Sequence, residues 1–587
     1  MASLLPLLLL AAAGAPAVHA AGACVSSGIV QETNVWNEGM SANLMLTFPN
    51  AVSSWTVEMT FDKTLTKFET WAATASSTDN TVFTLKNNAG DGTQPAGAKM
   101  ALAFNAYFSS KAEVISVKLD GAELCPGGGG STTPKPTGPT VPPPTGPTKP
   151  PPDLPYDYRD VLGKSLLFYE AQRSGALPPD NRIPWRGNSA MNDRGQNGED
   201  LTGGYYDAGD HVKFGFPMAA AMTVMAWGAI DFADAYADAG QSDYVKAAVK
   251  WGTDFFIKAH VGATDFYGQV REPFLADHSV WGRAEDMNMD RPGYKISAGA
   301  PGSDLAGETA AAMAAASILF KDSDAAYSGQ LLDHAKQLYD FANTHRGKYQ
   351  DSITDAVSFY GSSGYGDELA WAAAWLYRAT QDSSYLDAAK GFFQEFSDLN
   401  GKAGEFSWDS KHVGVQLLMY TLTKDSQYGD LVTQFCDWIV SGAPRTPKGL
   451  VWLNQWGSLR HAGNVAFICV AAAKAGLNPD SYRQMAEQQL NYIFGDSGRS
   501  YVVGFGNNPP VRAHHAGASC PNAPAPCSWD QLNSPNPNPQ VLYGALVGGP
   551  DINDNYADDR NDYVKNEVAC DYNAGFQSAI AGVLSMH

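Results

Sequence analysis

The chain lacks any helical membrane span: beyond residue 20, no run approaches the ~18 uninterrupted apolar residues that a bilayer core demands. It is also short of positive charge, with 40 Lys and Arg against 61 Asp and Glu and a formal charge of −21. Such a surface repels nucleic acid and anionic membranes, and a neutral partner suits it best. Cysteine is sparse, seven in 587 residues, and no two stand at zinc-ligand spacing. No Asn-x-Ser/Thr acceptor for an N-linked glycan is present, although the Thr/Pro-rich stretch described below offers sites for O-linked sugars. These absences argue against nucleic-acid, membrane and zinc-dependent roles.

What is present divides the chain into unlike parts, since 587 residues are too many for one ordinary core. Residues 1–20 carry the apolar run Leu4–Ala13 and a small-residue exit at Val18-His19-Ala20, which reads as a secretory signal peptide and predicts a secreted, extracellular protein. Residues 21–125 are rich in Thr, Val, Ser and Phe, with alternating runs such as Trp55–Phe61, the pattern of a β-sandwich. Residues 126–152 are Gly, Thr and Pro almost throughout and form an extended linker that cannot build a core. Residues 153–587 read as helices.

An oxidising destination permits disulfides and leaves one thiol over. Cys24 and Cys125 bracket the first compact segment and are expected to pair. Cys520 and Cys527 bracket a Pro-rich loop and are placed to pair locally, while Cys436, Cys469 and Cys570 sit in apolar surroundings and read as buried free thiols. The 14 Trp and 26 Tyr suit a binder of sugars, although ordinary cores use many such rings as well.

About twelve helices are expected from the apolar spacing, starting near residues 159, 218, 243, 303, 326, 364, 384, 411, 427, 461, 480 and 571. Several of the even-numbered ones are crowded with small residues, for example Ala306–Ala316 and Ala370–Ala374, and suit the inner layer of a two-layer ring. Alternating outer and inner helices predict an all-α (α/α)6 toroid. The unusual residues fall just before even helices: Asp207 and Asp210 before the second, His278 and Trp281 before the fourth, Trp408 before the eighth, Trp456 before the tenth and Glu567 before the twelfth. If those loops open on one face, a cleft lies there.

Tyr206-Asp207-Ala208-Gly209-Asp210 sets two carboxylates on a glycine-containing turn, suited to holding and deprotonating a water; an Asp ahead of a helix is also an ordinary N-cap. Glu567 stands among aromatic and apolar neighbours, where burial raises a carboxyl's pKa, but a Glu in a first helical turn needs no catalytic explanation. Ser363-Gly364-Tyr365-Gly366-Asp367-Glu368 offers oxygens for a hard cation, or simply a glycine turn before an acidic helix start.

Residues 153–587 resemble glycoside hydrolase family 9, the inverting endoglucanases. Tyr205–Asp210 looks like the family's base motif, and Tyr556, Asp558, Tyr563, Glu567, Ala569, Asn573 and Ala574 match its acid signature. Tyr501–His514 is similar to a further signature, with Ala513 and Ala516 as departures. The resemblance implies Glu567 as general acid, Asp210 as general base and Asp207 as positioner of the water, with acid and base carboxyls roughly 6.5–9.5 Å apart. It implies that His278, Trp281, Trp408, Trp456, Arg460, His514 and Tyr572 line sugar subsites, and that His461 replaces a stacking aromatic. It further implies a structural calcium at Ser363, Gly364, Asp367 and Glu368, and no cofactor for catalysis.

The first domain is similar to a family 2 carbohydrate-binding module through Cys24, Cys125, Asn34-Val35-Trp36, Trp55 and Trp71. Trp36 and Trp71 are then platforms for cellulose and Trp55 is buried. No third platform Trp stands around Asn87–Asp91. The expectation is a monomeric endo-β-1,4-glucanase acting on cellulose and related β-glucans. Mixed-linkage glucan, xyloglucan or a glucosamine polymer are alternative substrates, and an inactive carbohydrate-binding protein is the alternative of another class.

Overall fold

A computed structural model describes residues 29–36, 39–70, 73–88, 92–109, 112–124, 154–272 and 277–587. The expected signal peptide, the linker, Cys24, Cys125 and Trp71 lie outside these described residues. The chain divides into two compact units, Met1–Val141 and Pro142–His587.

The first unit is two antiparallel sheets. One has the order β1 (Val30–Trp36), β2 (Gly39–Thr47), β7 (Lys99–Tyr107), β4 (Lys67–Thr70). The other runs β5 (Ala73–Ser76), β6 (Val82–Asn87), β3 (Thr56–Phe61), β8 (Val114–Leu119), β9 (Ala122–Glu123). Along β3 the residues alternate between buried and half-buried, so Val57, Met59 and Phe61 enter the core, as period-two patterning dictates. Trp55 is 1 % exposed and belongs to that core, as expected. Trp36 ends β1 opposite Gly39.

Twelve long helices build the second unit: α1 (Tyr158–Ala171), α2 (Gly215–Asp231), α3 (Ser242–Ala259), α4 (Ser303–Phe320), α5 (Ala325–Thr344), α6 (Gly366–Thr380), α7 (Ser383–Glu395), α8 (His412–Thr423), α9 (Ser426–Ser441), α10 (Ser458–Lys474), α11 (Pro479–Asn491) and α12 (Cys570–Ser585). The even helices touch in turn, α2 to α4, α6, α8, α10 and α12, and α12 returns to α2. Each odd helix lies outside an even one. This is the closed two-layer toroid.

Residue size explains which helix goes inside. Every residue of α4 from Ser303 to Ser317 is buried, and its alanines let neighbouring backbones approach closely. On α10, a Cβ at Gly463 would stand 3.1 Å from the backbone of Phe576 on α12, tighter than side chains normally tolerate. The outer helices bury one stripe only: α3 hides Val245, Ala248, Val249, Gly252, Phe255 and Phe256, at helical spacing. Asp324, Asp382 and Asp425 start α5, α7 and α9 by accepting backbone N–H bonds. A small antiparallel sheet, β10 (Lys213–Phe214), β11 (His260–Gly262), β12 (Asp265–Val270) and β13 (Gly293–Ile296), joins the ring without any forewarning in the sequence pattern.

Candidate active site

The loops leading into all six even helices contribute to one cleft of about 860 Å³. Asp207, Asp210, His278, Trp281, Trp408, Trp456, Arg460, His514, Glu567 and Tyr572 all line it. The structure therefore brings together ten residues singled out across most of the domain's length.

The loop from Tyr206 to Asp210 is held from below. Gln172, at the end of α1, donates its side-chain N–H groups to the carbonyls of Ala208 (2.7 Å) and Tyr206 (3.3 Å). Its Oε1 pairs at 2.8 Å with His515 Nε2, and His515 Nδ1 accepts the Ala518 N–H. Burial pushes the His515 imidazole down to about 3, so it stays neutral and donates through Nε2. The Ala516 N–H donates to Gly209 O at 2.8 Å. A Cβ on Gly209 would meet His514 O at 2.2 Å, so the motif's glycine is required by the close approach of two backbones.

The two aspartates of this loop have different surroundings. Asp207 is 4 % exposed, and Tyr360 donates its hydroxyl to Asp207 Oδ2 at 2.5 Å. Burial, followed by the charge of Asp210, pushes the Asp207 carboxyl well above its usual range. Asp210 faces the cleft and pairs with His278 Nε2 at 3.1 Å, and that bond raises the imidazole's pKa. Behind them Asp277 is buried, pushed up to about 7 by desolvation and by Asp210, and paired with Arg271 at 2.9 Å. Ligand atoms of Asp210, Asp277 and His278 lie within 4.8 Å of one another, the one such potential metal-binding group among the described residues. Arg271 already supplies positive charge there.

Glu567 follows the short helix Tyr563–Asn566, whose first turn is capped by Asp562. The His514 N–H donates to Asn566 O at 2.8 Å, which ties the acid's segment to the strand of chain beside the base loop. Desolvation, reinforced by the nearby Asp210 charge, lifts Glu567 to about 8. At pH 7 it therefore keeps its proton. His514 donates through Nδ1 to Arg560 O at 2.7 Å, and burial lowers its pKa, leaving Nε2 as an acceptor.

The ring-bearing residues differ in how much they offer to a ligand. Trp456 is 42 % exposed, whereas Trp281 is largely enclosed and ties its indole N–H to Ser519 Oγ at 2.8 Å. Trp408 packs edge-on against Tyr360, 4.9 Å between centroids. Arg460 pairs with Asp571 at 2.9 Å and lies over the buried ring of Tyr572. His461 does not fill a stacking position: it is buried between Arg460 and Glu405. Sequence reading missed Gln172, Asp277, Tyr360 and Trp529. Asp277 adjoins His278 and Trp529 is a further tryptophan near a signature, so both had a signal; Gln172 and Tyr360 had none.

The Ser363–Glu368 turn stands apart from the cleft lining. Its donors are oxygens, which suits a hard cation, and Asp409 joins them by accepting the Ser363 N–H at 2.8 Å. Asp367 lies beside His412 and accepts the Lys411 N–H. Glu368 is buried, with Oε1 3.4 Å from Lys411 Nζ and Oε2 without a hydrogen-bond partner. Cys520 and Cys527 form a disulfide, and Cys436, Cys469 and Cys570 are buried free thiols, as expected.

Residues 158–580 match the profile of Glycosyl hydrolase family 9, and residues 28–125 match that of the Cellulose binding domain. Endoglucanase A of Bacillus pumilus is 45 % identical over 447 residues, spanning 73 % of this chain and 67 % of that protein. The structure of an endoglucanase from the termite Nasutitermes takasagoensis superposes with a TM-score of 0.73 at 59 % identity, over 74 % of this chain and all of that one (100 %). The endoglucanase CelQ from Clostridium thermocellum, in complex with cellotetraose, gives 0.66 at 36 % identity, over 73 % of this chain and 71 % of that one. The helical ring that gathers both signatures at one cleft is thus the family's own, and this chain belongs to glycosyl hydrolase family 9.

Proposed function

We propose that the chain is a secreted endo-β-1,4-glucanase that hydrolyses cellulose and related β-glucans with inversion at the anomeric carbon. One observation carries the reading: Glu567, protonated at pH 7 with its pKa lifted to about 8, opens on the same cleft as Asp210. Glu567 donates its proton to the leaving glycosidic oxygen. Asp210 takes a proton from water as the water oxygen bonds to the anomeric carbon from the opposite side. Asp207, bonded to Tyr360, holds that water in place. In an inverting pair the carboxyls stand roughly 6.5–9.5 Å apart so that water fits between them.

The reading extends to the rest of the chain. The leader-like residues 1–20 and the Cys520–Cys527 disulfide both suit an oxidising, extracellular destination. The β-sandwich unit, through Trp36 and Trp71, grips cellulose, and the linker raises the local concentration of the helical unit at the polymer. The oxygens of Ser363, Gly364, Asp367 and Glu368 hold a calcium ion that steadies the start of α6. Product analysis tests the central step: hydrolysis of a soluble cello-oligosaccharide releases the α-anomer first. Initial release of the β-anomer overturns the inverting assignment.

A further inference from the structure

Five aromatic rings that line the cleft are linked one to the next. Between centroids, Trp529 lies 6.0 Å from Trp281, Trp281 5.0 Å from His514, His514 6.0 Å from Tyr563, and Tyr563 5.7 Å from Trp456. The middle of this track is enclosed, with Trp281 8 % exposed. Both ends stand in solvent: Trp529 is 43 % exposed, Tyr563 51 % and Trp456 42 %. Trp529 is the end that the sequence reading did not place at a sugar subsite.

A single exposed apolar side chain is ordinary and explains nothing by itself. What distinguishes Trp529 is the scaffold beneath it. The short helix Trp529–Leu532 opens with a reciprocal capping box between Ser528 and Gln531. The Cys520–Cys527 disulfide closes the chain immediately before it. Arg560, 1 % exposed, donates to the carbonyls of Gln531 (2.5 Å), Ser534 (3.0 Å) and Asn536 (2.8 Å) and to the Asn538 side chain (2.6 Å). A buried guanidinium committed to one surface segment fixes that segment's backbone. An indole has only two side-chain torsions, so a ring on so firm a base loses little freedom when a ligand covers it.

We propose that Trp529 is a glucan-binding residue, a stacking platform for a glucosyl unit at the end of the cleft opposite Trp456. It is reached only by chains long enough to follow the aromatic track. The inference rests on the β-glucanase reading and adds to it a determinant of chain length. The apolar face of a pyranose ring covers the exposed indole, and this contact is made in the ground state and the transition state alike. Its loss therefore falls on KM rather than on kcat.

The test compares Trp529→Ala and Trp529→Phe with the wild-type full chain, measuring kcat and KM on cellotriose and cellohexaose. Trp529→Ala is expected to raise KM for cellohexaose about tenfold, with kcat and the cellotriose constants unchanged. Trp529→Phe is expected to recover most of the difference, and both variants to melt with the wild type. An unchanged KM for cellohexaose in Trp529→Ala overturns the inference, as does an equal rise for both lengths, which marks general damage. A wild-type chain inert on both oligosaccharides overturns the glucanase reading itself, and the inference with it.

Discussion

Two groups of acids sit within one helical ring and differ in what surrounds them. In the interior, Glu308 and Glu368 share Lys411, whose Nζ lies 3.2 Å and 3.4 Å from their carboxylates. Thr223 donates to Glu308 at 2.6 Å, and Lys411 also donates to Trp408 O. Burial works against the lysine's charge, but Glu308 and Glu368 outweigh it and hold the ammonium protonated. At the mouth, Asp210 has His278 beside it, whereas Asp207 and Glu567 bind their protons more tightly than ordinary carboxyls do. Both groups are withdrawn from water. Burial raises Glu368 as it raises Asp207 and Glu567, so the difference lies in the neighbours: Lys411 ties the interior carboxylates into the framework, whereas the acids at the mouth open on the cleft.

The strongest way to break this contrast is Glu567→Gln. Hydrolysis of soluble β-glucan is expected to fall about a thousandfold, with the fold retained, because a transferable proton is lost and no ion pair is. Unchanged hydrolysis would remove Glu567 from the mechanism. Next comes Lys411→Met, which leaves two carboxylates buried without their cation. Chemical denaturation should show a loss of about 3–5 kcal/mol, while kcat per folded molecule falls far less.

The pH dependence separates the groups further. Glu567's pKa rises from 4.5 to about 8 on folding. The folded state therefore binds its proton more tightly, and the stability from this group is full below about pH 4.5 and is lost as pH rises toward 8. Wild-type stability should decline across that window, and Glu567→Gln should flatten the decline. The same ionisation predicts an alkaline limb in kcat, falling about tenfold per pH unit above the acid's pKa. A rate that is flat to pH 10 would contradict it. The smallest effect is expected from Tyr360→Phe, which removes the hydroxyl from Asp207 and should lower kcat about tenfold with KM unchanged.

Much of this was legible in the sequence because helices and signatures are local patterns. Alanine crowding at Ala306–Ala316 and Ala370–Ala374 marked inner helices, and Asp207, Asp210 and Glu567 announced themselves by spacing. Residues that act through long-range contacts left no such trace. Tyr360 lies in a four-residue helix and reaches Asp207 only once α6 and α2 belong to one ring. Gln172 braces the base loop from a helix end, and its value depends on His515, far along the chain. His461 looked like a degraded subsite because its neighbours define one, but its side chain turns into the ring. Glu368 stood out by spacing, but its contact with Lys411 left no trace in the sequence.

The return of α12 to α2 also has a consequence for biosynthesis. A ribosome delivers α2 early, with its apolar surface shaped for a partner that is made last. That surface waits through most of translation, exposed to whatever else is apolar, until Cys570–Ser585 emerges. Glu567 leaves the ribosome three residues ahead of that helix, so the proton donor and the final stave arrive together. Closure and chemical competence are one event, and a nascent chain short of it has neither.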